Sequence, residues 1–273
     1  NVTVGDEAGT AITTGDNNTA LGYSSLAANT TGTRNTAVGT SAGTAITTGG
    51  NNTVMGYNAL ATNTVGDRNV AIGEGALQTH NPSSNADTYN VAVGYDAGNA
   101  VTTATHNTLI GALAGDSLTT GASNVAVGYG ALTTDDVGQH NVAIGRDALS
   151  AQNIASAANT YNTAVGSSAG AAVTTGTSNT LIGGLAGNAN TTGGNNTFVG
   201  KSAGVANTTA SSNTFVGERA GTANTTGDES VAVGQFAYSA NTTGVDNVAI
   251  GRSALAANTT AHNNVAIGRS ALL

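Results

Sequence analysis

The side chains best suited to metal or acid-base chemistry in this 273-residue sequence are its four histidines and fifteen carboxylates. The histidines are His80, His106, His140 and His262, and only His106 and His140 share a position in the repeat described below, two copies apart. Stacked β-coils would separate those two by about 9.6 Å, which is too far for both to ligate one metal ion. We therefore interpret the histidines as solvated turn residues.

The carboxylates also lie in positions typical of turns. Three adjacent pairs stand out, which are Asp6 with Glu7, Asp135 with Asp136, and Asp228 with Glu229. Adjacent acids of this kind usually form a solvated rim, and calcium-binding solenoids need Asp at fixed places in every coil, which is not the case here. No nucleophile elbow, P-loop or dinucleotide-binding glycine pattern occurs in its required context. The sequence predicts no enzyme activity, no catalytic residue, no cofactor and no metal site.

Charge and composition argue against nucleic-acid-binding, disulfide-rich and membrane-spanning classes of protein. A net charge of −8 with only 7 Lys and Arg removes the basic surface that nucleic-acid binding requires. Without cysteine there is no disulfide framework. No apolar run approaches the roughly 20 residues of a membrane-spanning helix, so no membrane insertion is expected. Because the chain starts at Asn1 without Met or a signal segment, we expect a fragment of a longer fibre or a mature segment.

A repeat organises nearly every residue of the chain. A glycine closes each copy of an NTAVG-like word, and it falls at positions 5, 22, 39, 56, 73, 94, 111, 128, 145, 166, 183, 200, 217, 234, 251 and 268. The step is 17 residues except for two steps of 21. We number positions within a copy from this closing glycine, so that Asn18 is at −4 and Tyr23 at +1 of Gly22. Residues 1–273 are therefore predicted to form a single repeat domain.

The character of each position predicts an all-β parallel solenoid. Thr, Val, Ile and Leu before the closing glycine favour a short strand, and Gly and Asn favour tight turns. One coil cannot bury its own apolar face, so sixteen coils must stack. Stacking also places each Asn at −4 over the last, which predicts a structural amide ladder through Asn18, Asn35, Asn52 and Asn69.

The strand before the closing glycine is apolar on both faces. Side chains alternate along a strand, so the residues at −3 and −1 share one face and the residue at −2 takes the other. We expect −3 and −1 to line the coil interior and −2 to face another chain, because a strand apolar on both faces is normally covered on both. Three-fold closure is the simplest way to hide one face per chain. The predicted trimer-face residues are Ala37, Leu109, Leu181, Phe198 and Phe215.

Tyrosines and the two longer copies are the candidate binding features. Tyr23, Tyr57, Tyr95 and Tyr129 share position +1, which basic residues occupy further along at Arg146, Lys201, Arg252 and Arg269. Exposed aromatic rings can stack on sugars, and a structural role at the coil edge is the alternative. The two insertions, around residues 80–89 and 150–161, each end in Thr-Tyr-Asn and supply Tyr89 and Tyr161. Insertions in solenoids map to one face, often the binding face, and simple tolerance of a longer loop is the alternative.

The repeat words resemble those of known fibres. NVAIGRDAL at 141–149 and NNVAIGRSAL at 263–272 are similar to head repeats of trimeric autotransporter adhesins. GYSSLAANTTGTRNTAVG at 22–39 looks more like repeats of bacteriophage tail-fibre proteins. The resemblance covers the whole chain and implies a left-handed β-roll assembled as a homotrimer, intertwined or side by side.

These observations predict a structural shaft or head of a virion tail fibre or extracellular appendage that presents a cell-attachment surface. The partners expected are two further copies of the chain and a cell-surface glycan or receptor, at an extracellular or virion-surface location. A bacterial trimeric autotransporter-type adhesin is the alternative. A second alternative is an ice-binding β-solenoid, because most copies end in a Thr-Thr pair that would stack into a ladder.

Overall fold

The computed structural model describes residues 1–273, and all of its regular structure is β-strand. Sixteen strands of three residues each precede a closing glycine, and four strands of two residues lie in or beside the longer copies. The strands are β1 (Val2–Val4), β2 (Thr19–Leu21), β3 (Thr36–Val38), β4 (Thr53–Met55), β5 (Gly66–Asp67), β6 (Val70–Ile72), β7 (Ala86–Asp87), β8 (Val91–Val93), β9 (Thr108–Ile110), β10 (Val125–Val127), β11 (Gly138–Gln139), β12 (Val142–Ile144), β13 (Ala158–Asn159), β14 (Thr163–Val165), β15 (Thr180–Ile182), β16 (Thr197–Val199), β17 (Thr214–Val216), β18 (Val231–Val233), β19 (Val248–Ile250) and β20 (Val265–Ile267).

The fold is a parallel β-solenoid of sixteen coils, which confirms the predicted fold class at that level. Each three-residue strand pairs in parallel with the strand one repeat later, so that Thr19, Ala20 and Leu21 face Thr36, Ala37 and Val38. The coils group into two compact units, the first comprising residues 1–139 with 155–158 and the second residues 140–154 with 159–273. Each unit contains eight of the three-residue strands.

The closing glycine turns the chain at the end of each strand. All sixteen have a positive φ between 120° and 140°, a region that other residues rarely adopt. A Cβ added at Gly22 would lie 2.6 Å from the carbonyl oxygen of Gly39 in the next coil. The turn is therefore restricted to glycine both by its backbone conformation and by the close approach of the neighbouring coil.

The core lies inside each coil, and the predicted orientation of the strand was wrong. Ala37, Leu109, Leu181, Phe198 and Phe215, expected to face a partner chain, are all 0% exposed within the single chain. The residues at −3 and −1 point outward instead, as the exposed Leu21 and Met55 illustrate. The physical reason is the Asn at −4, whose amide bonds to a carbonyl across the coil interior. Side chains two residues apart lie on the same face of a strand, so the residue at −2 points into the coil interior together with this Asn.

Core volume is balanced between positions −2 and +4. Every coil with a large residue at −2 has glycine at +4, namely Leu109 with Gly115, Leu181 with Gly187, Phe198 with Gly204, and Phe215 with Gly221. Where Ala stands at −2, Leu often fills the space from +4, as in Ala20 with Leu26. Leu26 is fully buried although it has a φ of 48°. Different residues thus fill the same interior in different coils, as close packing requires.

Candidate binding surface

The predicted Asn column forms a buried hydrogen-bonded ladder. The backbone N–H of Asn35 donates to Oδ1 of Asn18 at 2.9 Å, and Nδ2 of Asn35 donates to the Gly49 carbonyl at 2.8 Å. Asn52 and Asn69 continue the pattern, donating their N–H groups to the Oδ1 atom of the preceding Asn at 3.1 and 2.9 Å. These side chains are nearly or completely inaccessible. They satisfy the polar groups of the turns and are not available to a ligand.

One coil departs from the Asn column and compensates with a tyrosine. Ser230 takes the place of Asn at −4, and Tyr238 stands at +4 with a fully buried ring. The Tyr238 hydroxyl donates to the Gly244 carbonyl at 2.8 Å, which is the acceptor that an Asn at 230 would serve, and it accepts from Asn247 Nδ2 at 2.6 Å. Burial raises the pKa of Tyr238, and hydrogen bonds from Ser230 and Asn247 oppose that shift. Ser230 at −4 and Tyr238 at +4 therefore compensate for each other, because the tyrosine hydroxyl makes the hydrogen bond that the missing Asn would make.

A second inward column, at position +7, was not identified from the sequence. In the second unit it is an amide ladder in which Nδ2 of Asn207, Asn224 and Asn241 donates to Oδ1 of the preceding Asn at 3.1, 3.0 and 2.8 Å. In other coils the same position holds Ile46, Val101 or His80, so it alternates between polar and apolar types. That alternation hid the column, although the constant spacing of seven from the closing glycine could have revealed it.

The two threonines of each Thr-Thr pair have different roles. The first, at +8, donates its hydroxyl to a backbone carbonyl of the next coil, as Thr191 does to Thr208 at 3.0 Å and Thr208 to Thr225 at 3.0 Å. The second, at +9, is exposed. Six successive coils of the second unit carry an exposed threonine there, which are Thr175, Thr192, Thr209, Thr226, Thr243 and Thr260.

Positions −3 and −1 form two outward rows on the strand face. Position −3 is always Thr or Val and position −1 is always Val, Leu, Ile or Met, so no charged residue interrupts either row. Ile110, Ile182 and Val233 at −1 remain 39%, 39% and 37% exposed. We call these residues the strand-face rows. They form an uncharged surface that continues through every coil of each unit.

The four tyrosines at +1 also form an outward row, and all belong to the first unit. Tyr23, Tyr57, Tyr95 and Tyr129 are between 50% and 55% exposed. They occupy every second coil, and the coils between them carry Thr40, Glu74 and Ala112 at the same position. We call this set the tyrosine row.

Tyr89 and Tyr161 lie in the coils that follow the insertions, at position −5. Tyr89 is flanked by Arg68 of the preceding coil, 5.6 Å from its ring centroid, and by His106 of the following coil, 5.4 Å between ring centroids. The Arg68 guanidinium also contacts the Asp87 carboxylate and donates to the Tyr89 hydroxyl at 2.7 Å. These contacts with Tyr89 and Asp87 raise the pKa of Arg68. In the second unit Tyr161 contacts His140 with 5.3 Å between ring centroids, and it is 54% exposed.

The histidines and carboxylates, which are the candidate metal ligands and acid-base groups, do not cluster in the structure. No set of three His, Asp or Glu side chains is arranged to hold a metal ion. His80 is fully buried, contrary to the expectation of a turn histidine in water, and neither ring nitrogen has a hydrogen-bond partner. The Nδ1 atom of His262 accepts a bond from the Val245 N–H at 3.0 Å. Asp135 is also buried and accepts from the Gly138 N–H at 3.0 Å, so this acid closes a turn.

The coils, internal ladders and outward rows define a repeat protein of the parallel β-solenoid class whose candidate sites are extended surfaces. No pocket indents the surface, and no helix is long and apolar enough to cross a membrane. Beyond that class, no protein-family model, curated protein or solved structure matches the chain.

Proposed function

We propose that this chain is a structural segment of a virion tail fibre or extracellular appendage, in which three copies associate through the strand-face rows and present a cell-attachment surface. A left-handed winding and a virion-surface or extracellular location belong to the same proposal. The observation that carries it is the uncharged outward face at positions −3 and −1, which takes over the role expected of the buried −2 residues.

The size of this face supports a partner chain. Eight strands spaced about 4.8 Å apart and about 10 Å wide give roughly 380 Å² of Thr and aliphatic surface in each unit. The largest apolar patch of a soluble chain is about 300–600 Å² and is often functional, so a face of this area is large enough to be an association surface. Association of identical copies would cover the rows in both units, and three-fold closure leaves no row open. The resemblance of the repeat words to those of trimeric fibres and adhesins also supports an assembly of three chains.

Light scattering on the full chain tests the assembly. We expect the mass of three chains. Replacing Ile182, Val199 and Val216 by Lys should reduce it to one, because three charges would face a partner across adjacent strands. The matched control places three Lys at Thr192, Thr209 and Thr226 in the exposed threonine column, where the mass should stay that of three chains. A native chain that is a stable monomer would overturn the proposal.

The alternative of a bacterial surface adhesin shares this assembly and differs in what the segment is attached to. Ice binding is a second candidate, favoured by the six successive exposed threonines of the second unit. An ice-binding face needs regularly spaced, uncharged groups that hold water in an ordered array. Thermal hysteresis of the native chain tests it directly, and substitution of Thr209 and Thr226 by Lys should abolish any effect.

A further inference from the structure

We propose that the tyrosine row is a linear binding platform for an uncharged polysaccharide chain of β-linked pyranose rings. This inference rests on the proposed function, because it names the ligand of the attachment surface. Its basis is the spacing of Tyr23, Tyr57, Tyr95 and Tyr129 at every second coil of one parallel ladder. At the strand spacing, successive rings lie about 9.6 Å apart, close to the length of two pyranose residues in an extended chain.

The register of the row is fixed by backbone hydrogen bonds. The residue after each +1 position bonds to the +1 carbonyl of the preceding coil, as Gly75 N–H does to Tyr57 at 3.0 Å and Asp96 N–H does to Glu74 at 2.9 Å. The four-residue insertion between Tyr57 and Tyr95 does not disturb this, because Met55, Ile72 and Val93 remain paired in sequence across β4, β6 and β8. Tyr57 and Tyr95 therefore remain two coils apart, although the insertion increases the number of residues between them.

The rings of the row are half-exposed, and the Tyr95 hydroxyl is hydrogen-bonded to the neighbouring Asp96. None of the four contacts another aromatic ring or lies under a cation, whereas Tyr89 is flanked by Arg68 and His106. The side chains of the intervening coils, such as Thr40 and Ala112, are smaller than tyrosine. About half of each ring is therefore accessible to a sugar, whose axial C–H groups pack on aromatic surfaces.

Charge and shape narrow the class of ligand. The first unit has ten acidic and only two basic residues, whereas the second has five of each. Asp6, Glu74 and Asp96 lie within the +1 and +2 positions of the row, so an anionic polysaccharide or a nucleic acid would be repelled. A row without a pocket cannot enclose the end of a sugar chain. It suits a long neutral chain that gains affinity from several weak contacts.

Depletion of the full chain by amorphous cellulose, with carboxymethyl cellulose as the anionic analogue, tests the proposal. We expect the native protein to bind cellulose and to bind the anionic polymer weakly. Replacing both Tyr57 and Tyr95 by Ala should lower the affinity at least about tenfold, since two of the four stacking contacts are lost. Phe236→Ala is the matched control, because this partly exposed aromatic residue of the second unit lies outside the row and outside both insertions, and it should leave binding unchanged.

A variant that keeps the number of tyrosines separates spacing from general aromatic adhesion. Thr40→Tyr combined with Tyr57→Thr moves one ring by one coil. We expect this variant to lose as much affinity for cellulose as a variant that lacks one ring. Binding equal to that of the native protein would overturn the spacing argument, and failure of the native protein to bind cellulose would overturn the ligand class. Light scattering on the same samples reports the assembly separately, so a monomer that still binds would refute only the proposed assembly.

Discussion

At the scale of single residues, His80 is the clearest conflict between chemistry and location. Burial lowers its pKa to about 4, opposed by a weaker interaction with the Thr102 backbone. No charged group contributes to this shift. In the other insertion the corresponding residue is Gln152, whose Oε1 accepts from Asn162 Nδ2 at 2.8 Å. The same core position therefore accepts a neutral amide with a side-chain hydrogen bond or a neutral imidazole that has only a weak interaction with the Thr102 backbone.

His80 predicts a loss of stability on acidification. The folded-state pKa of about 4 lies below the ordinary value of 6.5, so the unfolded chain binds the proton more readily between these pH values. The free energy of unfolding should be unaffected above about pH 6.5 and fall by about 3 kcal/mol as the pH approaches 4. Urea unfolding across this range measures it.

The matched variants for this prediction are His80→Gln and His262→Gln. His80→Gln should remove most of the difference between pH 6.5 and pH 4, since a glutamine already occupies the equivalent core position. His262→Gln changes an exposed ring and should leave the native pH profile in place. An unchanged profile in the His80 variant would show that other groups cause the acid sensitivity.

The Ser230 and Tyr238 pair predicts strong coupling between two sites. Ser230→Asn should destabilise the chain, because the Tyr238 hydroxyl already occupies the Gly244 carbonyl that the new amide needs. Tyr238→Leu alone should remove the shorter of the two hydrogen bonds to that buried carbonyl and leave only the one from Asn241 Nδ2 at 3.2 Å. The double variant restores the arrangement of an Asn at −4 with Leu at +4, so a double-mutant cycle by urea unfolding should give a favourable coupling of about 1–3 kcal/mol. Additive effects would contradict the compensation.

At the scale of one coil, the exchange of volume between positions −2 and +4 is testable at Phe198 and Gly204. A Cβ at Gly204 would lie 2.6 Å from Phe198 Cε2, so Gly204→Leu should overpack the core. Phe198→Ala should leave a cavity costing about 3–5 kcal/mol. Together they recreate the pairing of Ala20 with Leu26, so thermal unfolding of the double variant should show less destabilisation than Phe198→Ala alone. A larger loss in the double variant would argue against interchangeable filling.

Much of the coil could be predicted from the sequence because its period is exact. The closing glycines, the −4 ladder and the strand before each glycine follow from spacing and residue type, and all three are observed. Which face of the strand turns inward could not be read from hydrophobicity, since Ala37 and Val38 are both apolar. The Asn at −4 indicates the inward face. A ladder of amides that bond to turn carbonyls has to lie inside the coil, and the residue at −2 is on the same strand face as this Asn.

The rows of the candidate surface were only partly predictable. The shared position of the four +1 tyrosines is visible in the sequence, and the structure shows that they are about half-exposed. The partners of Tyr89 were not predictable, because Arg68 and His106 lie one coil away on either side and the insertion obscures their common position. The +7 column was missed for a different reason, since the position tolerates both Asn and aliphatic residues and so lacks a uniform type.

At the scale of the whole chain, the two insertions contain the longest runs of exposed residues away from the exposed ends at 1–7 and 259–273. Ser83, Ser84 and Asn85 are exposed in the first, and residues 155–159 are exposed in the second. Elsewhere the regular coils hold their backbone in ladders from which a protease cannot easily extract an extended segment. Brief digestion with subtilisin should therefore cut first within residues 83–87 and 155–159, as mass spectrometry of the fragments would reveal. Early cleavage within the regular coils would contradict this.

The paired change at Ser230 and Tyr238 also bears on how such a chain is inherited. Tandem repeats gain and lose copies by recombination, and most coils here tolerate a new neighbour because every junction has the same register and the same amide acceptors. The segment with Tyr238 is different, since its ring depends on Ser230 before it and on Asn247 after it. A crossover between those positions would separate the three. We expect residues 230–247 to be kept together when copies are gained or lost, which an alignment of related sequences with different copy numbers would test.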